Sequence, residues 1–455
     1  MSFRILINSL FCSLLLVLAS CASGPARDAP PPQPDREDAA PDADATLPSF
    51  VEDAPLTRAE IARLESRPVR VALLLPLSGQ TRPVGAAMRD AAMLALFDAY
   101  DPRLKLKPLD TAGTPEGARA AAQAAVDWGA DIVVGPLLAD SIDAAAPVLL
   151  DAGMPVLGLS NDRRVARPGV YLMGFMPDQE VARIIRHAVR AGHRRIAGLI
   201  PRNAYGERVL QTLGPALLDS GGDLAALARY DADADRLADP VRRLADYDRR
   251  RAAYEAEVKV LESLGDDLSL EILSRMENRE TLTGPGFDAV LIAEGDPLVR
   301  TLAPLLPFYE IDPGTVQVLG TGLWDEPSLT REPPLRGARF AAPAPDRPRA
   351  FLARFKRLYD RDAPRIATLA YDAVSLAAHL ARDPVPEDRF TRRALTDPAG
   401  FLGLDGAFRF SVDGIIERKL AVIAIRRDGF EVVDPAATDF MPQLMSMLRG
   451  VTAAN

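Results

Sequence analysis

Four polar side chains sit where this chain could hold an anion. Ser78, Ser141, Ser160 and Asn161 occupy loop positions beside short apolar runs. There a hydroxyl or amide can act together with the free backbone N–H groups of a following helix to hold a carboxylate. Each can equally be a plain N-cap or turn residue, so only convergence on one place would make a site. Catalytic chemistry has less to work with. The chain contains no HExxH, GxSxG or P-loop pattern and neither SxxK nor KTG, so the metal, acyl-transfer and phosphate chemistries those spacings support are not expected. His187, His193 and His379 are not spaced as metal ligands, and Asp266-Asp267 reads as helix punctuation rather than as an acid/base pair. The expectation is a protein that is not an enzyme and carries no cofactor and no metal.

The elements that must position those loops alternate regularly. Val69-Arg-Val-Ala-Leu-Leu-Leu75 is a short β-branched and leucine run, followed by a turn at Pro76-Leu-Ser-Gly79 and a helical stretch over 84–100. The pattern repeats, with strands at 104–109, 132–134 and 155–159 and helices at 115–128 and 141–152. A second series begins with an amphipathic helix over 178–191, then strands at 195–200, 288–293 and 316–320 and a helix over 205–220. Alternation of this kind predicts parallel sheets covered on both faces, and the continuous apolar strands agree, because neither face of such a sheet meets water. Two series predict an α/β fold of two doubly wound lobes. Ligands of open α/β sheets lie outside the carboxyl ends of the strands. That selects the loops at 76–79, 135–141, 159–162, 201–205, 294–296 and 321–325, which would line one cleft if the lobes face each other.

Residues 1–20 combine Arg4 with a nearly unbroken apolar stretch too short to span a bilayer comfortably, which predicts a cleavable signal. Leu18-Ala-Ser-Cys21 resembles the lipobox of bacterial lipoproteins, which implies that Cys21 is the lipidated mature N-terminus. With Cys12 removed, one cysteine remains and no internal disulfide can form. Ala22 rather than Asp follows it, and the lipoprotein sorting rule then implies an outer-membrane anchor facing the periplasm. Residues 21–67 read as a tether, since eight prolines over 22–55, with many alanines and aspartates, cannot bury enough apolar surface to offset ordering entropy. Three Arg stand against nine Asp plus Glu over 22–60, and the whole chain carries a net charge of −9. Both balances disfavour anionic headgroups and nucleic acid as partners, leaving the lipid anchor as the one membrane contact.

The motifs Leu74-Leu-Pro-Leu-Ser-Gly79, Thr111-Ala-Gly-Thr-Pro-Glu-Gly-Ala118, Val134-Gly-Pro-Leu137, Pro155-Val-Leu-Gly-Leu-Ser160, Asn203-Ala-Tyr-Gly206 and Gly320-Thr-Gly-Leu-Trp324 occur in that order. Their series resembles the leucine-binding-protein-like branch of the type I periplasmic binding proteins, over residues 68–435. With the lipobox, the acidic tether and Gly322-Leu-Trp-Asp-Glu326, the chain is most similar within that branch to the penicillin-binding protein activator lipoproteins. The resemblance implies a first lobe of 68–176 plus 338–406, a second of 177–337 plus 407–435, and a tail over 436–455. Crossings are expected near Phe175, Gly337 and Ala407. A last strand pair within 408–433 is expected to return to the second lobe through turns at Asp413-Gly414 and Asp428-Gly429. The resemblance also places Tyr205 at the ligand. One departure stands out: amino-acid binders of this branch pair the ligand's ammonium with a second-lobe carboxylate, and the matching loop here is shifted and carries Trp324. Asp296, Asp325 or Glu326 would substitute, with Trp324 either lining the cleft or plugging it.

Residues 236–284 form an insertion in the second lobe. Over 236–280 nine basic and eleven acidic side chains interleave, which suits either a solvated helical hairpin laced with i,i+4 pairs or a docking surface for another envelope protein. The resemblance then implies a regulator of a bifunctional peptidoglycan synthase. A lipoprotein that delivers an amino acid or similar small molecule to an ABC transporter is the alternative, and an unrecognised hydrolase a third.

Overall fold

The run Val69–Leu75 is apolar on both of its faces, and in the computed structural model both faces are covered: Val71 and Leu73–Leu75 have no exposed surface. The structure describes residues 67–440 apart from Asn278; the expected signal, Cys21, the tether through residue 66 and the tail beyond 440 lie outside the described residues. In the first lobe β1 (Val69–Leu75) is followed by α1 (Arg82–Ala99), β2 (Leu104–Asp110), α2 (Pro115–Trp128), β3 (Ile132–Val134), α3 (Ala139–Asp151), β4 (Val156–Gly158) and β5 (Val170–Leu172). The strands form a parallel sheet in the order β2-β1-β3-β4-β5. Thr114 caps α2, its hydroxyl accepting from Gly117 N at 3.0 Å, as Pro at the first helical position and Glu116 in the first turn also favour.

The second lobe continues with α4 (Pro177–Arg190), β6 (Arg195–Pro201), α5 (Ala204–Ser220), β7 (Asp223–Tyr230), α6 (Ala238–Leu244), α7 (Tyr247–Leu264), α8 (Asp267–Met276), β8 (Ala289–Ile292), α9 (Leu298–Phe308), β9 (Gln317–Gly320) and β10 (Arg339–Ala342). Its strand neighbours divide between two cores by the period-2 rule. Ile196, Ile200, Ala289 and Leu291 pack with Val181, Ile184 and Ile185 of α4 and Val209 and Leu213 of α5. Ala197, Leu199, Val290 and Ile292 face Val241 of α6 and Val299 and Leu302 of α9. The chain then returns through α10 (Asp346–Tyr359), α11 (Ala367–Leu380), α12 (Arg392–Leu395) and the strands β11 (Phe401–Gly403), β12 (Gly406–Phe410), β13 (Ile416–Arg418), β14 (Ala421–Arg426) and β15 (Gly429–Asp434). Phe351 and Phe355 of α10 pack on Ala87, Ala91 and Leu94 of α1, so α10 belongs to the first lobe.

Two crossings fall later than the sequence suggested. Around Gly337 the chain does not yet leave the second lobe, because β10 pairs with β9 in parallel and with β14 antiparallel; it leaves after Ala342. Ala407 is likewise no crossing. It lies in β12, which with β11 and β13 forms a small antiparallel sheet whose Phe408, Phe410 and Ile416 join the first core. The turn at Asp413-Gly414 therefore stays with the first lobe, and the third crossing lies at Lys419-Leu420, just before β14 enters the seven-stranded sheet β15-β14-β10-β9-β8-β6-β7. The apolar pattern marks these strands as buried but does not say under which sheet.

The charged insertion is shorter than residues 236–284, since Val241 and Leu244 of α6 are core residues. What projects is a hairpin of α7 and α8, with i,i+4 pairs Arg251–Glu255 and Glu271–Arg275. Its base is fixed by Arg250, which is buried and makes no ion pair with a carboxylate among the described residues. Its guanidinium donates to Thr283 O at 2.7 Å, Ala245 O at 3.0 Å and Thr281 Oγ1 at 2.7 Å, and burial draws its pKa down from the usual arginine value.

Both lobes start a helix so close to the preceding strand that only glycine fits. A Cβ on Gly85 would lie 2.0 Å from Pro76 O, and one on Gly206 would lie 2.0 Å from Pro201 O. Gly206→Ala is expected to destabilise the protein by about 1–3 kcal/mol, because the atom it meets most closely is a backbone carbonyl oxygen, which cannot swing aside as a flexible side chain could. Thermal unfolding checks this; an unchanged melting temperature would refute the packing argument.

Candidate functional site

The carboxyl ends of both sheets face one cavity of about 520 Å3, within the range of small-molecule sites. Leu138 and Ala139 at the start of α3, Ser160 and Asn161 after β4, and Arg365 with Ile366 ahead of α11 come from the first lobe; Glu180 of α4, Tyr205 of α5 and the loop carrying Gly322, Asp325 and Glu326 come from the second. Of the residues singled out in the sequence, Ser160, Asn161, Tyr205, Asp325 and Glu326 are brought together here. Ser160 Oγ accepts from Asp162 N at 3.1 Å. The Tyr205 hydroxyl shares a 2.6 Å hydrogen bond with Thr321 Oγ1, and burial pushes its pKa well above the ordinary tyrosine value, so it stays neutral. α3 begins with no side-chain cap, leaving its first backbone N–H groups beside the cavity.

Ser78, Ser141 and Trp324 are elsewhere. The Ser78 backbone N–H donates to Asp110 Oδ1 at 3.2 Å, and the residue shapes a turn outside the cavity lining. Ser141 is buried within α3, its hydroxyl directed at Thr114 O. Trp324 neither lines nor plugs the cleft. Its ring is fully buried in the second core beside Gly320, where a Cβ would lie 2.2 Å from it, and its Nε1 donates to Glu294 O at 2.8 Å. The indole needs one acceptor and a large apolar hole, and the core supplies both. Asp296 is also no cleft residue, being held by Arg300 Nε at 2.6 Å and Ser328 Oγ at 3.1 Å.

The strongest electrostatics belong to two residues the sequence reading passed over. Glu180 sits on the apolar face of α4, 4% exposed, and its Oε2 accepts from Gly322 N at 2.9 Å. Burial is the largest cause that pushes its carboxyl up to about 8, aided by Asp178 and Asp325, so a neutral acid faces the cavity at neutral pH. A charged residue among Val181, Ile184 and Ile185 was the available signal. Arg365 reaches across the lobes: Nε donates to Asp325 Oδ2 at 2.6 Å, Nη2 to Asp405 Oδ1 at 2.7 Å and Nη1 to Thr368 Oγ1 at 2.8 Å, with the guanidinium 4.9 Å from the centre of the Phe175 ring. Burial disfavours its charge, but the two carboxylates outweigh that and hold its pKa above the usual value. Arg418, also buried, lies 5.5 Å from the same ring and 3.9 Å from Asp372.

Two outcomes follow. Folding raises the Glu180 pKa from 4.5 to about 8, so the folded chain binds a proton that the unfolded chain has released, and this contribution to stability falls as pH rises through that window. Glu180→Gln cannot ionise and should lack that slope; equal pH profiles for the two proteins between about pH 5 and 9 would refute it. Asp325→Ala removes the one carboxylate that Arg365 receives from the other lobe, and is expected to destabilise by about 1–3 kcal/mol and to expand the molecule in small-angle scattering. An unchanged radius of gyration would deny the pair its role in lobe closure.

The periplasmic binding protein family matches residues 68–429. The penicillin-binding protein activator LpoA of Vibrio cholerae is 32% identical over 151 residues, 32% of this chain and 24% of that protein. LpoA of Klebsiella pneumoniae is 30% identical over 138 residues, 30% of this chain and 19% of its own length. The match thus spans a quarter or less of those relatives. Among solved structures, a putative branched-chain amino acid ABC transporter protein from Rhodospirillum rubrum has a TM-score of 0.63 at 17% identity, covering 80% of this chain and 100% of that one. A solute binding protein of an ABC transporter from Rhodopseudomonas palustris, in complex with 3,4-dihydroxy benzoic acid, has a TM-score of 0.57 at 15% identity, covering 82% and 97%. At these identities the structures speak for the fold alone. The chain belongs to the periplasmic binding protein family, with the type I, leucine-binding-protein-like architecture of two α/β lobes.

Proposed function

We infer that this protein is a non-catalytic lipoprotein, anchored through Cys21 in the outer membrane and facing the periplasm, that activates a bifunctional peptidoglycan synthase. The observation that carries the reading is the Asp325–Arg365 pair. In a solute carrier the ligand itself bridges the lobes, and closure draws its free energy from that bridge. Here side chains of the two lobes already make it, at 2.6 Å. The activators named among the relatives support the same reading. A partner surface is available on the α7–α8 hairpin, where Val260, Leu264 and Leu268 are each more than half exposed beside Glu262, Asp266 and Asp267.

The second reading, a solute-binding lipoprotein for an amino acid or a related small molecule, is favoured by the 520 Å3 cavity and by Ser160 and Asn161 facing the uncapped start of α3. One experiment separates the two. The purified chain is added to a glycosyltransferase-transpeptidase while glycan synthesis and cross-linking are followed, in parallel with a thermal-shift screen of amino acids, sugars and peptides. Stimulation that drops severalfold in a Val260→Ser, Leu264→Ser, Leu268→Ser variant is expected. Saturable stabilisation by one solute, with no effect on the synthase, would overturn the activator reading.

A further inference from the structure

A second groove, of about 500 Å3, lies at the third crossing and shares little with the cleft. The first lobe contributes Lys419 to it, α4 contributes Arg183, Arg186 and Arg190, and Asp434 and Phe440 complete it. Asp434 is the resident anion. Arg183 Nη1 donates to it at 2.9 Å, His187 Nδ1 at 3.0 Å and Arg190 Nη2 at 3.4 Å, and these donors hold its carboxyl far below the usual range. His187 is fixed in one tautomer, because its Nε2 faces Arg339 Nη1, which can only donate, at 3.1 Å. Glu417 at the rim is taken by Arg409 at 2.7 Å.

That leaves two cations unanswered. Arg186 is exposed, with no hydrogen bond or ion pair from its guanidinium to any described residue. The Lys419 amine lies 4.3 Å from the centre of the Phe440 ring and has no acidic partner among the described residues. Arg183, Arg186, Arg190, Arg418 and Lys419, five cationic side chains, thus line the groove against the two carboxylates of Asp434 and Glu417, on a chain whose net charge is −9. The unmatched pair stands on two different lobes. A planar carboxylate would satisfy one of them, whereas a tetrahedral phosphate offers oxygens in several directions and a charge approaching −2.

We propose that this groove binds a phosphate-bearing ligand, with Arg186 and Lys419 as its direct contacts and Arg183 and Arg190 as supporting charge. Because Lys419 and α4 belong to different lobes, the occupant also ties the lobes together at the crossing. The size of the groove admits a phosphate with an attached organic group. Phosphate arriving on a lipid headgroup and phosphate on a soluble ester share this recognition chemistry.

The test titrates the full chain with inorganic pyrophosphate at low ionic strength, reading melting temperature and heat of binding. Vesicles of phosphatidylcholine with or without phosphatidic acid run in parallel. Arg186→Gln with Lys419→Gln is compared with Arg119→Gln with Arg336→Gln, which removes the same charge from exposed positions outside the groove. Both variants should melt as the parent does without ligand. Saturable pyrophosphate binding, weakened about tenfold or more in the groove variant and kept in the control, is the expected result. Selective sedimentation with phosphatidic acid, lost in the groove variant, would assign the headgroup as source; pyrophosphate binding without it assigns a soluble ester. Absence of saturable binding, or equal binding by the groove and control variants, overturns the proposal.

Discussion

A guanidinium withdrawn from water needs its charge answered on several sides, and at Arg365 the answers come from both lobes. Asp405 and Thr368 belong to the same lobe as the arginine, and only Asp325 arrives from across the cleft. The division sets the energetics of closure. When the lobes part, Arg365 keeps two of its three polar partners and the π face of Phe175, so no charge is stranded in a dry interior. What is lost is one charge-assisted hydrogen bond of roughly 1.5–3 kcal/mol, partly restored by water. A contact of that size biases a hinge without freezing it, and leaves an open form in the range of minor states that partners can select.

The rest of the crossing region is arranged around the same need. Phe175 ends the first passage between lobes, and both Arg365 and Arg418 lie against its ring. Arg418 donates to the carbonyl of Asp405, and Asp372 receives the backbone N–H groups of Leu404 and Asp405. Burial, with the charge of Asp405 close by, raises the pKa of Asp372, while burial lowers that of Arg418. Such a network contributes little net stability compared with an apolar core, but it tolerates few alternative arrangements, which is what a joint between two sheets requires.

Within the cleft, chemistry is restrained rather than activated. Tyr205 is held neutral and bonded to Thr321, Glu180 is neutral near pH 7 and bonded to Gly322, and Asp325 is committed to Arg365. Among the described residues no histidine lines the cavity.

Much of this was legible in the residues themselves. Strand and helix periods and the loops after the strands specified two doubly wound lobes and the loops that bring Ser160, Asn161, Tyr205, Asp325 and Glu326 to the cleft, because periodicity and turn chemistry are local properties. The sheet to which a short apolar strand belongs is not local. β10 and β12 read alike as buried runs, and only pairing partners far away in sequence decided that β10 stays in the second sheet while β12 covers the first core. Side-chain direction was equally undecided. Trp324 and Asp325 are neighbours in the chain, yet one turns into the core to reach Glu294 O and the other into the cleft to reach Arg365, forty residues on. Long-range charge pairing made Glu180 and Arg365 the centres of the site, and no spacing rule announces a partner that folding alone brings near.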